Sequence, residues 1–167
     1  NRAKMPDRLF FASLIVMILV FIGYNFYFYG QYEAIAAPGD SRQWNVVSSY
    51  PNNKDVAAAM NRVHANLMTI SEYLKKKYDL FETDDILARD GTVKDTPARK
   101  LAFYFVNGYN PDVVYENDPQ KSSDTSYNLN KGEQLFLCMR KRENPDTIEN
   151  DDILLFVILH ELSHTIE

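Results

Sequence analysis

A chain of 167 residues, 46% of them hydrophobic, is one domain's worth and is long enough for a real core. Setting aside residues 1–8, which carry three basic residues and one acidic, leaves 15 Lys and Arg against 22 Asp and Glu, a net charge of −7 on the remainder. A surface of that sign does not favour phosphate backbones, which argues against nucleic acid as a partner.

In chain order, a basic tail over residues 1–8 leads into the run from Leu9 to Tyr29, LFFASLIVMILVFIGYNFYFY, without a charge. At helical rise those 21 residues match the hydrocarbon thickness of a bilayer, and Tyr24, Tyr27 and Tyr29 crowd the end where an aromatic belt is expected. The run therefore predicts one transmembrane helix over 9–29. A signal peptide is the competing reading, with Ala34, Ala36 and Ala37 as its cleavage site, but its apolar stretch would be shorter. A buried core helix is a weaker account, since no polar face interrupts the run. Arg2, Lys4 and Arg8 precede the span and only Arg42 follows closely, so the positive-inside rule places the N-terminus in the cytoplasm and the globular part across the membrane. The lone Cys138 allows no internal disulfide and no Asn-x-Ser/Thr sequon occurs, so nothing else marks a secreted domain and either topology stays open.

Residues 30–53 hold Pro38, Gly39, several Ser and a closing Tyr50-Pro51-Asn52-Asn53, and read as a linker between membrane and domain. Trp44, Val46 and Val47 either pack on a neighbour or form one short extended segment. The domain proper is expected over 54–167. Val56, Met60, Val63, Leu67, Ile70 and Leu74 step by four and three, predicting an amphipathic helix over 55–78 with Asn53 as its cap and Lys75, Lys76 and Lys77 in its last turn. His64 beside this stripe is a remote candidate as a metal ligand, and a packed or exposed side chain is the plainer account. Phe81 to Asp95 is charged, with a turn at Asp90-Gly91. Thr96-Pro97 resembles an N-cap followed by proline at the first helical position, opening a short helix through about Val106, although Leu101 to Val106 also suits a strand.

Val113-Val114-Tyr115 is β-prone and Glu116 to Asp124 reads as a polar loop. Ser126–Leu129, a turn at Asn130-Lys131-Gly132 and Gln134–Met139 form the most hairpin-like stretch, with Gly132 supplying a positive φ. Gln134–Met139 is the candidate edge strand for pairing with an extended peptide, and an interior strand without a free edge is the alternative. Arg140 to Glu149 returns to solvent.

The last stretch runs from Asp152 through Ile153-Leu-Leu-Phe-Val-Ile-Leu to His160-Glu161-Leu-Ser-His164. Residues four apart share a helix face, so His160 and His164 can direct their imidazoles at one zinc ion with Glu161 beside them as general base. A catalytic zinc takes three protein ligands and keeps a fourth position for water, and two ligands are visible here. Asn150 is the expected N-cap, with Asp151 and Asp152 in the first turn. The apolar run before the motif implies a largely buried helix that presents both histidines from inside the fold. A buried helix with a chance His-Glu-x-x-His is the bland alternative. The chain opens with Asn1 and stops three residues after His164, so it reads as a piece of a longer protein with the third ligand beyond Glu167.

From Thr125 to His164, the sequence Thr-Ser-Tyr-Asn-Leu-Asn-Lys-Gly, then Leu-Phe-Leu-Cys-Met-Arg, then His-Glu-Leu-Ser-His resembles zinc metallopeptidases of large double-stranded DNA viruses, which look distantly like the WLM and SprT groups of zincins. The resemblance covers about 40 residues well, with Ser163 standing where Ala is usual. It implies that His160 and His164 bind zinc, that Glu161 is the base, that the third ligand follows Glu167, and that the setting is a virion, between internal membrane and capsid. The expectation is an α+β protein: one transmembrane helix, then a small zincin-like domain with an amphipathic helix, a short antiparallel sheet and a C-terminal His-Glu-x-x-His helix. Its partners are the membrane, a protein or peptide substrate and viral capsid proteins. The two functional readings are a membrane-anchored zinc endopeptidase and a non-catalytic minor capsid or membrane-associated protein tethering an internal membrane to a capsid.

Overall fold

The computed structural model describes residues 7–80, 96–122, 126–130 and 132–164, with the side chains of residues 7–9 and 29 left aside. Most of the basic tail, the charged stretch 81–95 with its Asp90-Gly91 turn, Lys131 of the hairpin turn and the end of the motif helix past His164 lie outside the described residues. Within them the fold is mixed α and β, with four α-helices and one five-stranded sheet.

Helix α1 spans Asp7–Tyr29. Its stretch Phe10–Phe28 has a mean hydropathy of 2.1 and none of it is buried by the rest of the fold, so it is long and apolar enough to cross a membrane. That exposure removes the reading as a buried core helix. Only Gly30 and Gln31 separate α1 from strand β1, Tyr32–Ala36, which pairs antiparallel with β2, Gln43–Val47, over five residues. The expected linker over 30–53 is therefore largely a hairpin built into the domain: Trp44, Val46 and Val47 are buried and Ala37 joins the core. Cleavage after Ala37 would remove an edge strand from the sheet, which weighs against the signal-peptide reading.

Helix α2, Asn53–Tyr78, carries the predicted stripe, and Val56, Met60, Val63 and Leu67 are buried. Its cap is Asn52, with φ 63° and no capping side chain. Asn53 is not free to cap, because its side chain donates to Glu33 and accepts from Arg140. Helix α3, Pro97–Gly108, confirms the Thr96-Pro97 signal over the strand alternative, with Thr96 Oγ1 accepting from the Arg99 N–H at 3.4 Å. A single 3₁₀ turn, Pro111–Val113, capped by Asn110, leads into β3, Val114–Glu116. Strands β4, Tyr127–Leu129, and β5, Gln134–Leu137, form the expected hairpin, with Gly132 at φ 104°. Helix α4, Asp151–Ser163, starts at Asn150, whose Oδ1 accepts from the Asp152 N–H at 2.8 Å.

The strand order is β1-β2-β3-β5-β4. The two outer pairs are antiparallel, but β2–β3 and β3–β5 are parallel, so the expected short antiparallel sheet is in fact mixed. Strand β5 is interior, held by β3 on one side and β4 on the other, which overturns Gln134–Met139 as the edge strand. The edge is β4. Side chains alternate across the sheet. On one face Trp44, Val46, Val114, Leu135 and Leu137 meet Met60, Val63 and Leu67 of α2 and Leu154, Ile158 and Leu162 of α4. On the other face Tyr32, Tyr115, Phe136 and Tyr127 stand side by side, with Tyr127 and Phe136 stacked at 4.6 Å between centroids and Phe28 of α1 against Tyr32, Tyr115 and Phe136.

The core face also holds a buried ion pair. Glu116 and Arg140 have fully buried side chains, with Arg140 Nε donating to Glu116 Oε1 at 2.7 Å and the Val47 N–H donating to Glu116 Oε2 at 2.8 Å. The remaining guanidinium donors reach the Pro51 and Pro145 carbonyls and Asn53 Oδ1. Asp118, also buried, accepts from the Tyr50 hydroxyl at 2.6 Å. Two readings are corrected here: the polar stretch from Glu116 begins inside the fold, and Arg140 does not return to solvent.

Candidate metal centre

Helix α4 is fixed at both ends. At its start, the Arg62 guanidinium of α2 makes a two-pronged bond to Asp151, with Nε–Oδ2 at 2.6 Å and Nη2–Oδ1 at 2.9 Å. That bond holds the Asp151 carboxyl below the usual carboxylate range. Near its end, Asn128 of β4 donates from Nδ2 to the Glu161 carbonyl at 3.2 Å while its Oδ1 accepts from the Gly132 N–H at 2.6 Å. One side chain thus ties the hairpin turn, the edge strand and the motif helix together. Asn128 can do this because it points to the core face while Tyr127 and Leu129 point to the other. The Ser163 hydroxyl donates to the His160 carbonyl at 2.6 Å, so it folds its polarity back onto its own helix.

His160 and His164 come together as their spacing predicts. Their Nε2 atoms are 3.4 Å apart and the rings are at 89°. Two imidazole nitrogens at about 2.0–2.1 Å from a tetrahedral zinc are separated by about 3.4 Å, so the pair fits two adjacent corners of one coordination sphere. Neither nitrogen is consumed by a carboxylate or carbonyl from another element in the described structure.

The burial of the pair differs from expectation. Leu154, Ile158, Glu161 and Leu162 face the core, while His160 and His164 are exposed, on the side of α4 that also shows Ile153 at 51% and Phe156 at 70% exposure. The histidines stand on the outer face of the helix and are not presented from inside the fold. The apolar run misled because it is apolar all round, and such a run does not say which side is covered. Glu161 lies at the margin of the core, 9% exposed.

His64 does not join the pair. Its Nδ1 is 3.1 Å from the Tyr109 hydroxyl and its ring lies against Trp44, where burial and then the nearby Arg42 push its pKa down. Among the described residues no cluster of three or more His, Cys, Asp or Glu side chains suited to a metal occurs. Cys138 is half-buried, with its thiol pKa raised by burial, and has the character of a packed residue rather than a nucleophile.

Asn128, Ser163 and the Arg62–Asp151 clamp were not read from the sequence as parts of this site. Only Ser163 lies inside the motif. The other two act through contacts 33 and 89 residues apart, for which a single sequence carries no local signal. No protein-family model matches this chain, and neither a curated protein nor a solved structure does.

Proposed function

We propose that the chain is a membrane-anchored zinc-dependent peptidase in which His160 and His164 hold the metal through Nε2 and Glu161 is the general base. The observation that carries this reading is the 3.4 Å separation of the two Nε2 atoms on a helix pinned at both ends. A structural zinc is more often closed by four Cys or His, whereas this chain has one Cys and three His. The third ligand comes from outside the described residues.

Bound by this pair, zinc would polarise the scissile carbonyl and make an attacking oxygen available near neutral pH. The chain's own groups do the rest. Strand β4 offers its outer edge to an extended peptide by main-chain hydrogen bonds, a role assigned to it because β5 is enclosed. Asn128 keeps that edge in register with the helix turn that carries Glu161. The Glu161 carboxylate accepts a proton from the attacking water and returns it to the leaving amine nitrogen. Helix α1 restricts the enzyme to substrates that reach the membrane.

The second reading, a non-catalytic tether between an internal membrane and a capsid, draws support from the two-residue connection between α1 and β1, which suits a fixed mount. Its virion setting and capsid partners rest on the resemblance over residues 125–164. Peptide cleavage by the wild type and by Glu161→Gln separates the two. The substitution keeps the side chain's shape and removes the base, so a peptidase loses about 10²- to 10⁴-fold in rate while its zinc content is unchanged. Undiminished cleavage by Glu161→Gln would end the role given to that residue, and a full-length, zinc-loaded wild type without cleavage would favour the tether.

A further inference from the structure

A groove of about 370 Å³ runs between α1 and the β4–β5 hairpin, with Phe21, Tyr24 and Phe28 on one wall and Tyr127, Leu129 and Gln134 on the other. We infer that lipid of the membrane interface fills this groove, so that the aromatic face of the sheet is seated in the headgroup layer and the domain does not stand clear of the bilayer. The inference rests on the reading of α1 as a membrane span.

Length forces the depth. The 19 residues of Phe10–Phe28 cover about 28 Å, which is only just the roughly 30 Å of hydrocarbon to be crossed. The hairpin lies against α1 along the stretch from Phe21 to Phe28, about 10 Å of helix axis. Lifting the sheet into water would lift that stretch with it and leave only residues 10–20, about 16 Å of helix, in the membrane. With Gly30 and Gln31 alone between α1 and β1, no slack exists to separate the two.

The lining suits that depth. Tyr24 is exposed on α1 and Leu129 is 43% exposed on the hairpin, while Tyr127 and Gln134 present a hydroxyl and an amide beside apolar rings. Aromatic rings with one polar end and an apolar body are the side chains that settle at a membrane–water boundary. The same strand carries both environments: Tyr127 and Leu129 face the lipid groove, and between them Asn128 holds the Glu161 carbonyl on the opposite face. The histidine pair, on the outer face of α4, is thereby on the far side of the sheet from the groove.

The test places a nitroxide at Leu129→Cys, Val16→Cys or Phe156→Cys, each in a Cys138→Ser background, with the chain in phosphatidylcholine nanodiscs, and compares collision with oxygen and with a water-soluble nickel chelate. The inference predicts that the labels at positions 129 and 16 both favour oxygen, with 16 the deeper, and that the label at 156 favours nickel. A lipid-exposed label at 16 with a water-exposed label at 129 overturns the seating and leaves the anchor intact. A water-exposed label at 16 overturns the anchor and the seating together. Spin–spin broadening at 129 shows a second copy in the groove and overturns lipid as its occupant.

Discussion

Replacing Arg140 by Met leaves the Glu116 carboxylate without its counter-charge in a place where neither side chain reaches water. The loss includes the 2.7 Å bond to Glu116 and the donors that serve the Pro51 and Pro145 carbonyls and Asn53 Oδ1. Breaking one side of a buried ion pair typically costs about 3–5 kcal/mol, because an uncompensated charge stays behind. For a chain of this size that corresponds to a melting midpoint lower by about 6–20 °C, read by far-ultraviolet circular dichroism in detergent at pH 7. Burial already pushes the Glu116 carboxyl above the ordinary range against the pull of Arg140, so in Arg140→Met the orphaned group takes up a proton readily and the deficit shrinks as the pH is lowered. Adding Glu116→Leu removes the charge but leaves the Val47 N–H, two carbonyls and Asn53 Oδ1 without these partners, each costing about 1–3 kcal/mol if it stays dry, so the double variant recovers only part of the loss. An Arg140→Met protein that melts within about 3 °C of wild type, roughly 1 kcal/mol, would refute the view that this pair ties β2, β3 and the α2 start together.

The Arg62–Asp151 clamp is partly exposed, with side chains 55% and 38% accessible, so Arg62→Ala should cost only about 0.2–1 kcal/mol. Because the folded Asp151 carboxyl titrates below its unfolded value of about 3.9, that contribution is present above about pH 4 and is lost as the pH falls through the lower folded value. A wild-type advantage over Arg62→Ala that persists below that range would contradict the assignment. Asn128→Ala removes the bonds to the Glu161 carbonyl and the Gly132 N–H, and should lower stability by about 1–2 kcal/mol in denaturant unfolding. No change would mean that β4 and α4 hold their register without it.

Local signals carried much of the fold. The four-and-three stepping of α2, the Thr96-Pro97 start of α3, the Asn150 cap of α4 and the glycine of the β4–β5 turn each act within a few residues, and each appears in the structure where the sequence places it. What stayed hidden depends on distant partners. The segment after α1 looks like a linker because Pro38, Gly39 and scattered serines break any period, yet Trp44 and Val46 are buried once Asn45 pairs in parallel with Tyr115, 70 residues on. Arg140 and Glu116 look like solvent-facing charges until the sheet brings them together. The i, i+4 histidine spacing predicted their meeting, but which side of α4 faces outward depends on how α2 and the sheet cover it.

On this reading His160 and His164 form one half of a zinc site, and zinc titration of the purified full-length protein decides whether they do. The wild type should bind one zinc per chain, and His160→Ala and His164→Ala should each abolish that binding while His64→Ala leaves it intact. Equal zinc binding by the wild type and both motif variants would contradict the claim.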